Sequence, residues 1–362
     1  MVKSDNRNYS LDVLKIIATV FIVFHHYQQT FEVKYTSGID YFYGKFYFGY
    51  MVELFFILSG YSMVRYIDRI KEGLSFSCFI KKRMFRLLPL IAIAAIVFEG
   101  IVAIGIHNGS AYLQSNSTHV SLWGWFIDSL GIQDGWALAN PCVNNPTWYV
   151  SVLIWCYIVF YVVTYFAKRI GFDERYGYIA MIFVGFGINT YQLNLPFLNS
   201  SVARGYVAFS GGVLLGMFSE KHLRNYDCRI NKKLQLLSVM VIITICWMAI
   251  FHTHWLADGF NYILVFLFYP AVIIFIQNDF LKKIFSHNWI GTLGAITFDV
   301  YVWHAVMLMA LRLLSEKGVL TFDFSMRSTM WLTTCMAFAI GTVSYFFIEK
   351  QINRILKKMN AV

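Results

Sequence analysis

Ten stretches of this chain are long and apolar enough to cross a bilayer, and they leave no room for a separate water-soluble domain. They run at 11–31, 45–64, 87–106, 148–167, 176–192, 204–219, 234–253, 260–276, 290–312 and 328–348. Residue balance agrees: 58% of the 362 residues are hydrophobic and 14% charged, where a soluble domain has about a quarter charged. Backbone polar groups in hydrocarbon must be satisfied within their own segment, so each stretch is expected to be a helix. The expected fold class is all-α, a polytopic integral membrane protein. It is one membrane-embedded domain over 1–362, a bundle of about ten transmembrane helices.

Basic residues orient that bundle. With both termini cytoplasmic, 23 of the 30 Lys and Arg lie on the inner side, the asymmetry that sets topology. Lys34, Lys45, Arg204, Arg312, Lys317 and Arg327 fall to outer ends and loops, and Lys15 lies inside the first stretch. An N-in/C-in protein of the cell (plasma or inner) membrane follows, with the bilayer as a partner. The net charge of +10 is then a topology signal, and no nucleic-acid partner is expected. The first stretch has the flank of a signal peptide, but residues 25–29 (HHYQQ) offer no small-residue cleavage site, so it is expected to be retained. Of six cysteines only Cys142 falls in an outer loop. No disulfide, and no metal site of Cys-x-x-Cys spacing, is expected.

Ionisable groups inside such stretches mark where chemistry could occur, because they are costly in lipid and turn toward a bundle interior or a wet cavity. Lys15 and His26 are eleven residues apart, which on a helix returns to within ~20° of the same direction after a rise of about 16 Å. Counting from the ends, His26, Glu53, Asp299 and His304 all lie between the midplane and the outer surface. One shared polar cavity is expected, with Glu53 or Asp299 orienting an imidazole. A histidine suits the central role because it takes and gives a proton near neutrality; the alternative is that His26 only bonds helix to helix. His25 points about 100° away and is read as packing. The catalytic candidates are His26, Lys15, Glu53 and His304.

The connections add binding candidates. Arg83 and Arg86, three apart in a basic inner connection, would present a paired cationic edge suited to phosphate, or else serve as a positive-inside flank. The outer connection 107–147 has no Lys or Arg but carries Trp123, Trp125 and Trp136, and its 121–131 portion reads as a short interfacial helix. Trp148, opening the fourth stretch, is an interfacial anchor or a platform for a sugar ring. Ser59 and Gly60 permit close helix approach. No internal repeat and no pair of broken spans is visible.

Taken in order, these motifs resemble the acyltransferase 3 family of integral membrane acyltransferases over nearly the whole chain. Asp12 matches the acid of the family's Asp-x-x-Arg pattern, Lys15 stands where its arginine is usual, and His26 matches the histidine that follows. Phe55-Phe56-Ile57-Leu58-Ser59-Gly60-Tyr61 is similar to its Phe-Phe-x-x-Ser-Gly-Phe signature, and Arg83-Met84-Phe85-Arg86 with Pro89 to its Arg-x-x-Arg…Pro element. Pro146-Thr147-Trp148-Tyr149-Val150-Ser151 resembles its Trp-x-Leu-Ser segment without the glutamate that often follows. Phe298-Asp299-Val300-Tyr301-Val302-Trp303-His304 is similar to its Tyr-x-x-Tyr-x-Trp-His element, with Asp299 atypical. Ser344-Tyr345-Phe346-Phe347-Ile348-Glu349-Lys350 matches the closing Tyr-x-x-Ile-Glu-Lys pattern.

The resemblance implies transfer of an acyl group, usually acetyl, from cytoplasmic acyl-CoA to a hydroxyl of an extracytoplasmic or lipid-linked cell-surface glycan. Acyl-CoA is then the donor substrate and no cofactor is permanently bound. Arg83 and Arg86 would hold CoA phosphates, and Trp148 and Asp299 would line the acceptor side. His26 would be a general base or a transient acyl carrier. Lys15 keeps the charge of the usual arginine but loses its planar fork. A transporter or exporter of glycan or a small anion is the rival reading, because intramembrane His and acids also serve proton coupling. A sensory or structural protein is the third.

Overall fold

The computed structural model describes residues 8–35, 42, 47–136, 143–222, 228–251 and 260–359. Among these the chain is helical throughout: α1 Tyr9–Phe31, α2 Met51–Met63, α3 Ile67–Lys71, α4 Phe76–His107, α5 Ala111–Ser115, α6 Leu122–Leu130, α7 Trp148–Ile170, α8 Glu174–Thr190, α9 Ser200–His222, α10 Cys228–Phe251, α11 Phe260–Ile263, α12 Tyr269–Ile276, α13 Asp279–Phe285, α14 Asn288–Glu316, α15 Arg327–Ser344 and α16 Lys350–Met359. Among the described residues seven helices are long and apolar enough to span a membrane, and an eighth candidate is a bent pair, 261–276 and 279–285, meeting at 72°, a broken span or a re-entrant loop. The stretches expected at 45–64 and 176–192 are also helical, but α2 has 13 residues and α8 has 17. Short 3-10 turns at Phe48–Tyr50 and Val64–Tyr66 flank α2 and run on into α3. Residues 45–46, 252–253 and Cys142 lie outside the described residues.

Two boundaries depart from hydropathy for identifiable reasons. Helix α4 begins eleven residues before its apolar run, where Ser75 accepts from the Cys78 N–H at 3.3 Å. Phe79, Ile80, Arg83 and Leu87 recur at helical spacing and are buried, so one face stays packed although the segment is charged. Pro89 consequently falls inside the helix. The 121–131 portion is the expected short helix: Ser121 caps α6 by accepting from Gly124 N–H at 2.9 Å, and Gly131 ends it at φ +69°. Rather than standing apart, α6 runs along α4, where Trp125 Nε1 donates to the Ala92 carbonyl at 3.0 Å.

Glycines set the closest contact in the bundle. A Cβ on Gly60 of α2 would lie 2.1 Å from the Phe209 carbonyl oxygen of α9, and one on Gly212 would lie 2.2 Å from that of Ile57. Backbone therefore meets backbone along this seam, as the Ser59-Gly60 pair suggested. The other defining pair is α1 against α14. The Tyr9 hydroxyl donates to the Asn288 carboxamide at 3.1 Å, so both helices start at one end of the bundle. Lys71, Arg83, Arg86 and Lys168 gather at that same end, here called the basic end; the other is the far end.

Candidate active site

The α1–α14 contact brings the two histidine motifs together. The rings of His26 and His304 are 5.1 Å apart, centroid to centroid, tilted by 42°. His304 is fully buried, and its Nδ1 lies 2.6 Å from the Tyr301 carbonyl oxygen. A carbonyl can only accept, so Nδ1 carries the proton and Nε2 is left with a lone pair. That Nε2 has no hydrogen-bond partner among the described residues. His26 is half-buried, and its Nδ1 lies 2.9 Å from the Gln29 side-chain oxygen one turn on, which favours the same tautomer. Two imidazoles thus share one site with their Nδ1 atoms occupied. His25 is buried against Tyr47, with ring centroids 4.7 Å apart, which is the packing role its direction implied.

The acids bond from helix to helix rather than to an imidazole. Glu53 does not orient an imidazole: it forms a two-pronged ion pair with Arg204, Nε to Oε1 at 2.6 Å and Nη2 to Oε2 at 2.9 Å. Arg204 also donates to the Gly49 carbonyl, and its guanidinium lies 4.8 Å from the Trp148 ring. Arg204, read from the sequence as the outer end of the 204–219 stretch, lies in the second turn of α9 at the far end of the glycine seam; its pairing with Glu53 was not visible because the partner depends on which helices pack together. Asp299 likewise serves no histidine. It accepts from Ser344 Oγ at 2.6 Å, and Trp303 Nε1 donates to the same Ser344. Lys15 pairs with Asp12 at 3.0 Å.

At the basic end Arg83 and Arg86 do not form one edge. Arg86 is exposed, whereas Arg83 is buried among rings, its guanidinium carbon 3.6 Å from Phe79, 4.4 Å from Tyr66 and 5.2 Å from Tyr157. Arg65 and Arg69 each stand 5.3 Å from the same Tyr66 ring, so three guanidiniums collar one tyrosine. This collar was not legible as a site, because Arg65 and Arg69 read as ordinary flank residues.

A column of side chains joins the collar to the histidines. Tyr157 hydrogen-bonds Ser59, and the Ser59 and Tyr149 hydroxyls are 3.2 Å apart. The Tyr149 ring is 5.7 Å from Tyr301, which is 5.8 Å from His304. Tyr301 donates to the Pro146 carbonyl, locking the start of α7 to α14. Four of the motifs singled out in the sequence therefore meet along one line: Ser59, Arg83, Tyr149 and the Tyr301–His304 pair. Lys15 is not on it.

A helical bundle with a histidine pair in its interior, joined by packed tyrosines to a cationic collar at one end, defines a polytopic membrane protein. The chain belongs to the acyltransferase 3 family, whose model, described as an acyltransferase domain, matches residues 8–349. It is by membership a membrane acyltransferase. No curated protein and no solved structure matches the chain.

Proposed function

We propose that the protein transfers an acyl group, acetyl by preference, from cytoplasmic acyl-CoA to a hydroxyl of an extracytoplasmic or lipid-linked glycan of the cell surface. The basic end would be cytoplasmic, with ten crossings and both termini inside. Helix directions support that count. Helix α2 runs parallel to α9 along the glycine seam, and α8 has to return the chain from the basic end of α7 to the far end of α9. The plasma (inner) membrane is the compartment this orientation fits.

In this reading the exposed Arg86, with Arg65 and Arg69 beside Tyr66, meets the CoA phosphates at the cytoplasmic mouth, and the buried Arg83 holds Tyr66 in place from beneath. The column of Tyr157, Ser59, Tyr149 and Tyr301 marks the route of the donor arm toward the histidines. His26 acts as general base. Its Nε2 takes the hydroxyl proton as the acceptor oxygen attacks the thioester carbonyl, the C–S bond breaks, and the departing thiolate recovers that proton. His304 offers its free Nε2 to the imidazolium that forms, directly or through one water. Glu53 and Arg204 hold Trp148 beside the acceptor side. Asp299 keeps the α14 segment in register through Ser344, and Lys15 stays tied to Asp12, away from the donor route.

One observation carries the proposal: the paired imidazoles with both Nδ1 atoms engaged and the buried Nε2 of His304 unpartnered. In a deletion strain complemented with His26→Ala at matched expression, O-acylation of the surface glycan should vanish; retention at the wild-type level would sink the assignment. Labelled acyl-CoA should bind the purified protein and bind less after Arg86→Glu, which a transporter of glycan does not require.

A further inference from the structure

The far end of the bundle holds an open cleft of about 460 Å³ between the last turns of α1 and α14 and the short α5. Glu32, Tyr112, Ser115, Arg312, Ser315 and Glu316 line it. Its walls are fixed. The Glu316 carboxylate accepts from Ser110 Oγ at 2.5 Å and from the N–H groups of Ala111 and Tyr112 at 2.6 and 3.2 Å, pinning α5 to α14. The Arg312 guanidinium lies 4.7 Å from the Tyr112 ring, and Lys317 donates to the Asn108 carbonyl. Glu32 ends α1 in the left-handed region at φ +57°. Glycine would hold that turn without strain; the chain keeps a carboxylate there instead.

The cleft stands on the two helices that carry the histidines. Glu32 is six residues beyond His26 and Arg312 eight beyond His304, rises of about 9 Å and about 12 Å toward the far end. We infer that the cleft is a subsite for the acceptor, holding an uncharged, hydroxyl-rich stretch of glycan a few sugars away from the hydroxyl that reacts. This rests on the acyltransferase reading above. Sugar hydroxyls donate to the Glu32 carboxylate and accept from Arg312 and the serine hydroxyls. Glu316 is engaged by three donors and faces Arg312, with Lys317 beside it, so the acids and bases of the cleft balance and the exposed Glu32 is the carboxylate left to meet sugar hydroxyls.

The test uses the purified protein with acetyl-CoA and surface glycan of the deletion strain, freed of O-acyl groups and cut into fragments sorted by length. Wild type should use fragments longer than a disaccharide better than shorter ones. Glu32→Ala and Tyr112→Ala should raise KM for the long fragments about tenfold with kcat held within about twofold, each eluting as wild type does. Glu32→Lys should shift competition so that a phosphodiester-bearing polymer inhibits more strongly than it inhibits wild type. Wild-type KM in all three variants, with transfer intact, overturns the cleft assignment alone. Failure of the wild-type protein to acetylate any fragment overturns the acyltransferase reading and the cleft with it.

Discussion

Glu53 and Arg204 place opposite charges where water is scarce: the Glu53 side chain is 3% exposed and that of Arg204 27%. Removing one member of a buried pair leaves the other charge uncompensated, which costs roughly 3–5 kcal/mol, and the partial exposure of Arg204 argues for the lower end. Glu53→Gln should therefore lower the unfolding temperature sharply, and Glu53→Gln with Arg204→Met should recover part of the loss, read by thermal unfolding in detergent. Asp128 behaves differently. It is fully buried in α6, and burial pushes its carboxyl up to about 7 against the Asn144 and Val143 N–H groups that favour the charged form. An unfolded aspartate releases its proton near pH 4. Between about pH 4 and 7 the folded state binds the extra proton, so stability falls as pH rises through that window and stays low above it. Asp128→Asn should flatten the profile of unfolding temperature against pH, gaining on wild type at pH 8 and matching it at pH 5. The histidines were legible at this scale because a register argument needs only one helix. The partners of Glu53 and Asp299 were not, since a side chain's choice between neighbours depends on which helices pack together.

Helices α2 and α9 approach through Gly60, Gly212 and Gly216, and the atoms a new methyl would strike are chiefly backbone. Backbone cannot move aside as a flexible side chain can, so the whole seam would have to open. Gly212→Ala should remove the monodisperse peak in size-exclusion chromatography of a fluorescent fusion. Gly187→Ala, where nothing lies within 4 Å, should elute unchanged, since replacing a mid-helix glycine gains about 0.5–1 kcal/mol of helix stability. The same seam sets Glu53 opposite Arg204 and Ser59 beneath Tyr149, so opening it should also abolish activity. Sequence alone showed that Gly60 allows close approach but could not show to which helix. The extension of α4 below residue 87 was hidden for a related reason. Its buried face is too narrow to raise local hydropathy, and one of its packed side chains is Arg83, whose charge is covered by three aromatic rings.

Seen as one molecule, the chain poses a question of crossings. Among the described residues seven helices are long and apolar enough to cross, eight if the bent pair is one span, yet α2 and α8 connect ends that lie on opposite sides of the bundle. A 17-residue helix is about 26 Å long, a little short of a hydrocarbon core of about 30 Å, and bilayers thin locally to meet such helices at modest cost. Direction is therefore the better guide than length here. On the orientation proposed above, α8 would be a crossing and the count even, with both termini at the basic end. Single cysteines in a cysteine-free background decide the matter. Phe172 and Tyr191, 49% and 77% exposed, flank α8 at its two ends, and Val319 lies in the exposed turn after α14 at the far end. In intact cells a membrane-impermeant maleimide should label Tyr191→Cys and Val319→Cys at once, and Phe172→Cys and Lys81→Cys only after permeabilisation. Labelling of Phe172→Cys and Tyr191→Cys from the same side would mean that α8 does not cross. The basic collar around Tyr66 and the cleft over the histidines would then need a different path between them, because the donor and the acceptor reach this site from opposite faces only if every return helix crosses.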